Sequence, residues 1–153
     1  MRTAIVLLAV LALTGCSASE PAPTLSSGDA IDRYQPVFDE VSAAVEQAYP
    51  GHEYTVENEH DVVDSSPCIV WIGHLENRTT DVDDRDDYLA IIRPLAEKAG
   101  FSALEELESS EGVAYRPTFL AHDDLGTELR VTFDDPGFTF YIVANVTDDP
   151  CGP

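Results

Sequence analysis

Apolar and polar residues alternate most sharply in the last third of the chain. Leu129, Val131 and Phe133 interleave with Glu128, Arg130 and Thr132, and Phe138, Phe140, Ile142 and Ala144 interleave with Thr139, Tyr141, Val143 and Asn145. A period of two sends each set to its own face of a strand. Strands are therefore predicted over residues 113–121, 127–134 and 138–146. His122-Asp123-Asp124-Leu125-Gly126 and Asp134-Asp135-Pro136-Gly137, which join them, are rich in turn formers, so the three should form an antiparallel meander with one apolar face.

Upstream the period lengthens. Ile31, Tyr34, Val37, Val41, Val45 and Ala48 recur at steps of three and four, the spacing of one helical face. A helix over 29–49 follows, stopped by Pro50-Gly51, with Pro36 either in its opening turns or marking a later start. A short strand fits 53–57, and a stronger one 68–74, dense in β-branched and aromatic residues. A second helix is led in by the acidic run 81–87 and carries Tyr88, Leu89, Ile91, Ile92 and Leu95, with Lys98 at its negative end. Pro94 should kink or divide it, and Gly100-Phe101 resembles a glycine stop followed by an apolar contact. Residues 102–111 read as loop. The expected fold is α+β: two helices packed on one face of a mostly antiparallel sheet of about five strands, in the order α-β-β-α-β-β-β.

The amino terminus follows a different logic. Arg2 precedes an uncharged apolar run, Ala4 to Leu13, and small residues follow at Thr14 and Gly15, the layout of an export signal. The run is about half the roughly 20 residues a spanning helix needs. Its end, Leu13-Thr14-Gly15-Cys16, resembles the lipobox of bacterial lipoproteins. That resemblance implies cleavage before Cys16, a diacylglyceryl group on its thiol and attachment to the outer side of the cell membrane, acyl chains supplying the anchor. Residues 17–28, rich in Ser, Ala and Pro, form a tether that averages about 20 Å as a flexible coil. The chain thus divides into a signal peptide (1–15), a lipidated cysteine with tether (16–28) and a single extracytoplasmic domain (29–153). Loosely, the element order, the Gly100-Phe101 stop, a glycine-containing hairpin and the closing Cys151 resemble small lipoproteins of unknown function from high-GC Gram-positive bacteria. This second resemblance implies no activity.

Charge narrows the partners. Against 29 acidic side chains stand 8 basic ones, a formal net charge of −21, and loss of Arg2 would make it −22. Nucleic acid and anionic lipid surfaces need clustered Lys or Arg and are excluded as partners. Basic proteins, cationic ligands and divalent ions remain, beside the plain alternative of a solvated, self-repelling surface. With Cys16 committed to lipid, Cys68 and Cys151 form the natural disulfide of an oxidising exterior. Neither has a CxxC partner or a basic neighbour in sequence to make it reactive.

No catalytic or cofactor motif emerges. The acidic run (Asp81, Asp83, Asp84, Asp86, Asp87) has oxygen ligands at short spacing, but an EF-hand frame set on Asp81 puts Arg85 fifth, Asp86 at the glycine position and Ile92 twelfth. Helix capping and a solvated acidic loop explain the run better. His52, His60, His74 and His122 lack the i, i+4 spacing of a zinc pair and read as strand-edge or turn residues. Ser65-Ser66 and Ser109-Ser110 lack a nucleophile-elbow context. Trp71 is assigned to the core, with a ligand-facing position as the alternative, and the Asn77 and Asn145 glycosylation patterns carry no meaning in a bacterium. No metal site, cofactor or catalytic residue is assigned. The expected function is a non-enzymatic interaction or accessory module, anchored in the membrane through Cys16, with an envelope protein as partner; the alternative is a small-ligand or divalent-cation-binding lipoprotein.

Overall fold

A computed structural model describes residues 25–58, 60–63, 65, 67–79, 84–107, 116–134, 136–147 and 151. The signal, Cys16 and most of the tether lie outside the described residues. The first helix, α1 (Ser27–Ala48), starts two residues earlier than its apolar period predicts. Ser26 caps it, its hydroxyl accepting from the Asp29 amide at 3.2 Å, which satisfies one of the open N–H groups of the first turn. Pro36 sits well inside the helix, on its exposed side. The buried face is Ala30, Tyr34, Phe38, Val41, Ser42 and Val45. It is rotated from the predicted stripe: Ile31 and Val37 lie at its margin and Ala48 is exposed.

Three strands follow: β1 (Tyr54–Glu57), β2 (Val62–Val63) and β3 (Cys68–Asn77). The second helix, α2 (Arg85–Lys98), runs through Pro94 undivided. Pro94 is exposed, while Tyr88, Leu89, Ile92 and Ala96 are buried on both sides of it, so burial offsets the roughly 3 kcal/mol an interior proline costs. At the end of α2, the Phe101 amide donates to the Ala96 carbonyl and the Gly100 amide to that of Glu97, both at 3.0 Å. Gly100 has φ +95°, completing the left-handed helix stop that Gly100-Phe101 predicts. Beyond it come β4 (Glu105–Glu106), β5 (Thr118–His122), β6 (Glu128–Asp134) and β7 (Gly137–Val146).

The α+β architecture is the expected one, but the sheet has seven strands rather than about five. The additions, β2 and β4, are two residues long, too short for a periodic signal. β4 falls where the sequence reads as loop, and β5 starts at Thr118 and closes with His122, which the sequence assigns to a turn. Spatial order is β1-β3-β7-β6-β5-β4, with β2 also on β3, and every pair is antiparallel. Leu25, counted with the tether in sequence, makes a parallel bridge to Val146.

Both helices contribute to one core with the inner sheet face. Phe38 stacks on Phe140 at 5.5 Å between ring centres, and Tyr88 packs on Phe138 and edge-on to Phe133. Cys68 and Cys151 are joined by a disulfide with Cα atoms 5.7 Å apart, tying the carboxyl terminus to the start of β3. Among the described residues no helix is long and apolar enough to cross a membrane.

Candidate functional site

With the helices on one face, chemistry collects on the other, and a bulge in β3 decides what stands there. Trp71 pairs with Val143, but Gly73 pairs with Ile142, so Ile72 is an extra residue in the ladder. Ile72 and Gly73 both turn inward and are buried. Trp71 and His74, three apart, consequently share the outer face, which an unbroken period of two forbids. Glycine is required at 73: a Cβ there would lie 2.7 Å from two ring atoms of Phe38 and 2.9 Å from a third.

Strand register then aligns a row of outer side chains across the sheet. Glu57 of β1 faces His74 of β3, His74 faces Tyr141 of β7, and Tyr141 faces Arg130 of β6. A groove of about 330 Å³ opens between Glu57, Asp61, Trp71, Gly73, His74 and Tyr141. Its aromatic side is the Trp71–Tyr141 pair, 4.8 Å between centres and inclined at 45°. Its acidic side is Glu57, whose carboxylate is 3.5 Å from His74 Nδ1, and Asp61, held close because its carbonyl accepts the Trp71 amide at 3.0 Å. Beyond Tyr141 the Arg130 guanidinium lies 5.5 Å from the ring centre and donates to Glu128 at 2.6 Å. Its Nε is buried without a hydrogen-bond partner. Burial pushes the Tyr141 phenol above its ordinary pKa, and the adjacent Arg130 works in the opposite direction.

Two other polar centres are structural. Asp123, its side chain 1% exposed, accepts from the Leu125 and Thr127 amides at 2.9 Å and from the Tyr34 hydroxyl, with Arg33 at 3.9 Å. This fastens α1 to the β5–β6 turn. Burial, and then the bond to Asp123, push Tyr34 up to about 12. The second centre is the Tyr88 hydroxyl, 2.9 Å from His52 Nδ1 and 3.4 Å from the Tyr54 hydroxyl, with Tyr49 stacked on the Tyr88 ring at 4.4 Å. Burial raises Tyr54 above its usual pKa, and Tyr88 adds to the shift. Each is a closed hydrogen-bond set, suited to holding elements together.

The residues that stand out in sequence fare unequally. Asp81 and Asp83 lie outside the described residues; Asp84 stands before α2 without a side-chain cap bond, and Asp86 and Asp87 occupy its first turn. The four histidines have separate neighbours: His52 on Tyr88, His60 on Gln35, His74 on Glu57 and His122 near Glu128. His74 is neither strand-edge nor turn, but central to the groove. Among the described residues no group of three His, Cys, Asp or Glu side chains converges as metal ligands would. The Ser65 hydroxyl donates to the Pro67 carbonyl, while Ser66, Ser109 and Ser110 lie outside the described residues. Asn77 is buried and its side-chain oxygen accepts from Thr79. Trp71, assigned to the core, is on the outer face and half-buried. Glu57, Asp61, Tyr141 and Arg130 do not stand out in the sequence; the available signal is Gly73, a glycine inside a strand pattern, which marks a bulge.

The chain is similar to the crystal structure of a DUF4853 family protein from Actinomyces odontolyticus ATCC 17982. The TM-score is 0.61 at 15% identity, over 87% of this chain and 77% of that one. A likeness at that identity concerns the fold alone. No protein-family model matches the chain, and no curated protein matches its sequence.

Proposed function

We propose that the chain is a lipid-anchored, extracytoplasmic interaction module without catalytic activity, which presents its open sheet face to an envelope protein. One observation carries the choice of surface: α1 and α2 pack on a single side, and on the other Trp71, His74 and Tyr141 line an open groove and stay partly exposed. Half-buried aromatic rings framed by charged side chains are the composition of docking surfaces. Support for the anchor is the apolar run ending in Leu13-Thr14-Gly15-Cys16. Leu25, nine residues after Cys16, is already held to the sheet by its bridge to Val146, and a chain of that length extends to at most roughly 30 Å. The face therefore works close to the membrane.

A second reading, capture of a small ligand, is favoured by the groove itself. Its volume of about 330 Å³ lies at the lower end of the roughly 300–1,000 Å³ of small-molecule clefts.

The test uses the full-length protein, extracted in detergent from its own envelope. One dominant co-purifying envelope protein is expected with the wild type and with an Asp32→Asn/Glu97→Gln variant on the helices, and its loss with Trp71→Ser/Tyr141→Ser. Retention by the outer-face variant would overturn the assignment of the surface. Cys16→Ala should move the protein out of the membrane fraction or leave it as uncleaved precursor; normal maturation and membrane retention would overturn the anchor.

A further inference from the structure

We infer that the groove between β1, β3 and β7 is a receptor for one cationic side chain, guanidinium or ammonium, presented by a basic segment of the docked partner. This deepens the docking-face reading and rests on it. The walls carry two kinds of group that only a cation satisfies together. Trp71 and Tyr141 supply aromatic rings, whose quadrupole attracts positive charge, as the Arg130 guanidinium over the Tyr141 ring already shows, and Glu57 and Asp61 supply acidic residues. An anionic group would meet those carboxylates and the −21 charge of the chain. A purely apolar group would strip water from the carboxylates without replacing its hydrogen bonds.

The acidic wall is also free to act. The Glu57 side chain is 64% exposed, with the His74 ring as its neighbour at 3.5 Å, and among the described residues Asp61 makes no ion pair. The nearby cation, Arg130, is already committed to Glu128 at 2.6 Å on the far side of the row. The groove thus keeps its negative character, and the field of the whole chain steers cations toward it. Its size suits one long side chain, and the bulge at Ile72–Gly73 puts Trp71 and His74 on the outer face that forms its floor. A planar guanidinium stacks on rings better than an ammonium does, so arginine should be preferred to lysine.

Trp71 is the single tryptophan of the chain, and its fluorescence therefore reports directly on the groove. The full-length protein in detergent is titrated with a terminally blocked hexa-arginine peptide, a hexa-lysine peptide and arginine amide. A saturable change in Trp71 emission is expected, tighter for arginine than for lysine peptide and at least tenfold weaker for arginine amide. Glu57→Gln/Asp61→Asn should weaken the peptide at least tenfold. Asp32→Asn/Glu97→Gln, which removes the same charge from the helices, should stay within twofold. Equal weakening by both pairs, or calorimetric binding with no change in Trp71 emission, would overturn the groove. Arginine amide binding as tightly as the peptide would overturn the partner-segment form and make the ligand a free small cation. Circular dichroism of each variant separates lost binding from lost folding. If the peptide fails while the envelope partner is still lost with Trp71→Ser/Tyr141→Ser, the cation receptor falls and the docking face stands. Saturable groove binding alongside a partner indifferent to that variant overturns the docking face and the partner-segment form together, leaving a groove that takes free cations.

Discussion

Gly73→Ala is a small change with a calculable consequence. The φ of Gly73 lies outside the left-handed region, so backbone conformation is no obstacle and space alone decides. The added Cβ would stand 2.7 Å from Cδ1 and Cε1 of Phe38 and 2.9 Å from its Cγ. Ordinary carbon contacts lie at about 3.5–4.0 Å, so three ring atoms are overlapped by roughly 1 Å. Phe38 has nowhere to retreat: it is fully buried and stacked on Phe140 at 5.5 Å with the rings 6° from parallel. Overpacking of this kind costs about 1–3 kcal/mol, and the site is the bulge that puts Trp71 and His74 on one face. Urea unfolding followed by circular dichroism should show the midpoint fall by roughly 1 M at a slope near 1–3 kcal/mol per molar. In a Phe38→Ala background, which itself costs about 3–5 kcal/mol, Gly73→Ala should cost almost nothing, giving a coupling of about 1–3 kcal/mol. Gly51→Ala, with nothing within 4 Å of its Cβ, is the control and should stay within about 0.5 kcal/mol. A neutral Gly73→Ala, or a cost that simply adds to that of Phe38→Ala, would refute the steric account of the bulge.

Other outcomes are equally specific. Removing the Cys68–Cys151 bond as a double alanine variant opens a link across 83 residues, and chain entropy sets an upper loss of about 4.5 kcal/mol; unchanged urea stability would show that the bond contributes nothing. Asp123→Ala strands two turn amides and the Tyr34 hydroxyl and should cost about 2–4 kcal/mol, whereas a loss below about 0.5 kcal/mol would contradict its fastening role. Stability should fall in strong base: Tyr34 is raised from 10 to about 12, and Tyr49, Tyr54 and Tyr141 are also raised. The native state then holds phenolic protons that the unfolded chain gives up near pH 10, so stability is intact below about pH 10 and declines toward about pH 12. Urea unfolding at about pH 9, 10 and 11, repeated with Tyr34→Phe, should show the decline and its reduction; a flat profile would contradict the burial of these tyrosines.

Local chemistry was legible where it acted alone. The alternation in 128–133 and 138–145 yields β6 and β7 nearly to the residue, because a half-buried strand writes its period into the sequence. Gly100-Phe101 yields the end of α2 because the motif is built from adjacent residues. Tertiary context overrode local preference elsewhere. Pro36 and Pro94 sit in unbroken helices whose buried sides hold them. β2 exists only as a partner of β3, and β4 only as a partner of β5, so neither has a pattern of its own. The groove was hidden for a related reason. Trp71 and His74 fall on opposite faces under a regular period, and Glu57, Asp61 and Tyr141 come from separate segments joined only by register. The identities that bound the chemistry, one tryptophan and a large acidic excess, are plain in the sequence.

The central claim is that the open sheet face, rather than the helical side, meets the partner. Site-specific photocrosslinking in living cells tests it most directly, with a crosslinking residue placed at Leu120 or Thr139 on the outer face and at Asp32 or Glu97 on the helices. Capture of one envelope protein from the first pair of positions and not from the second is the predicted result. Equal capture from both sides, or capture from the helices alone, would contradict it.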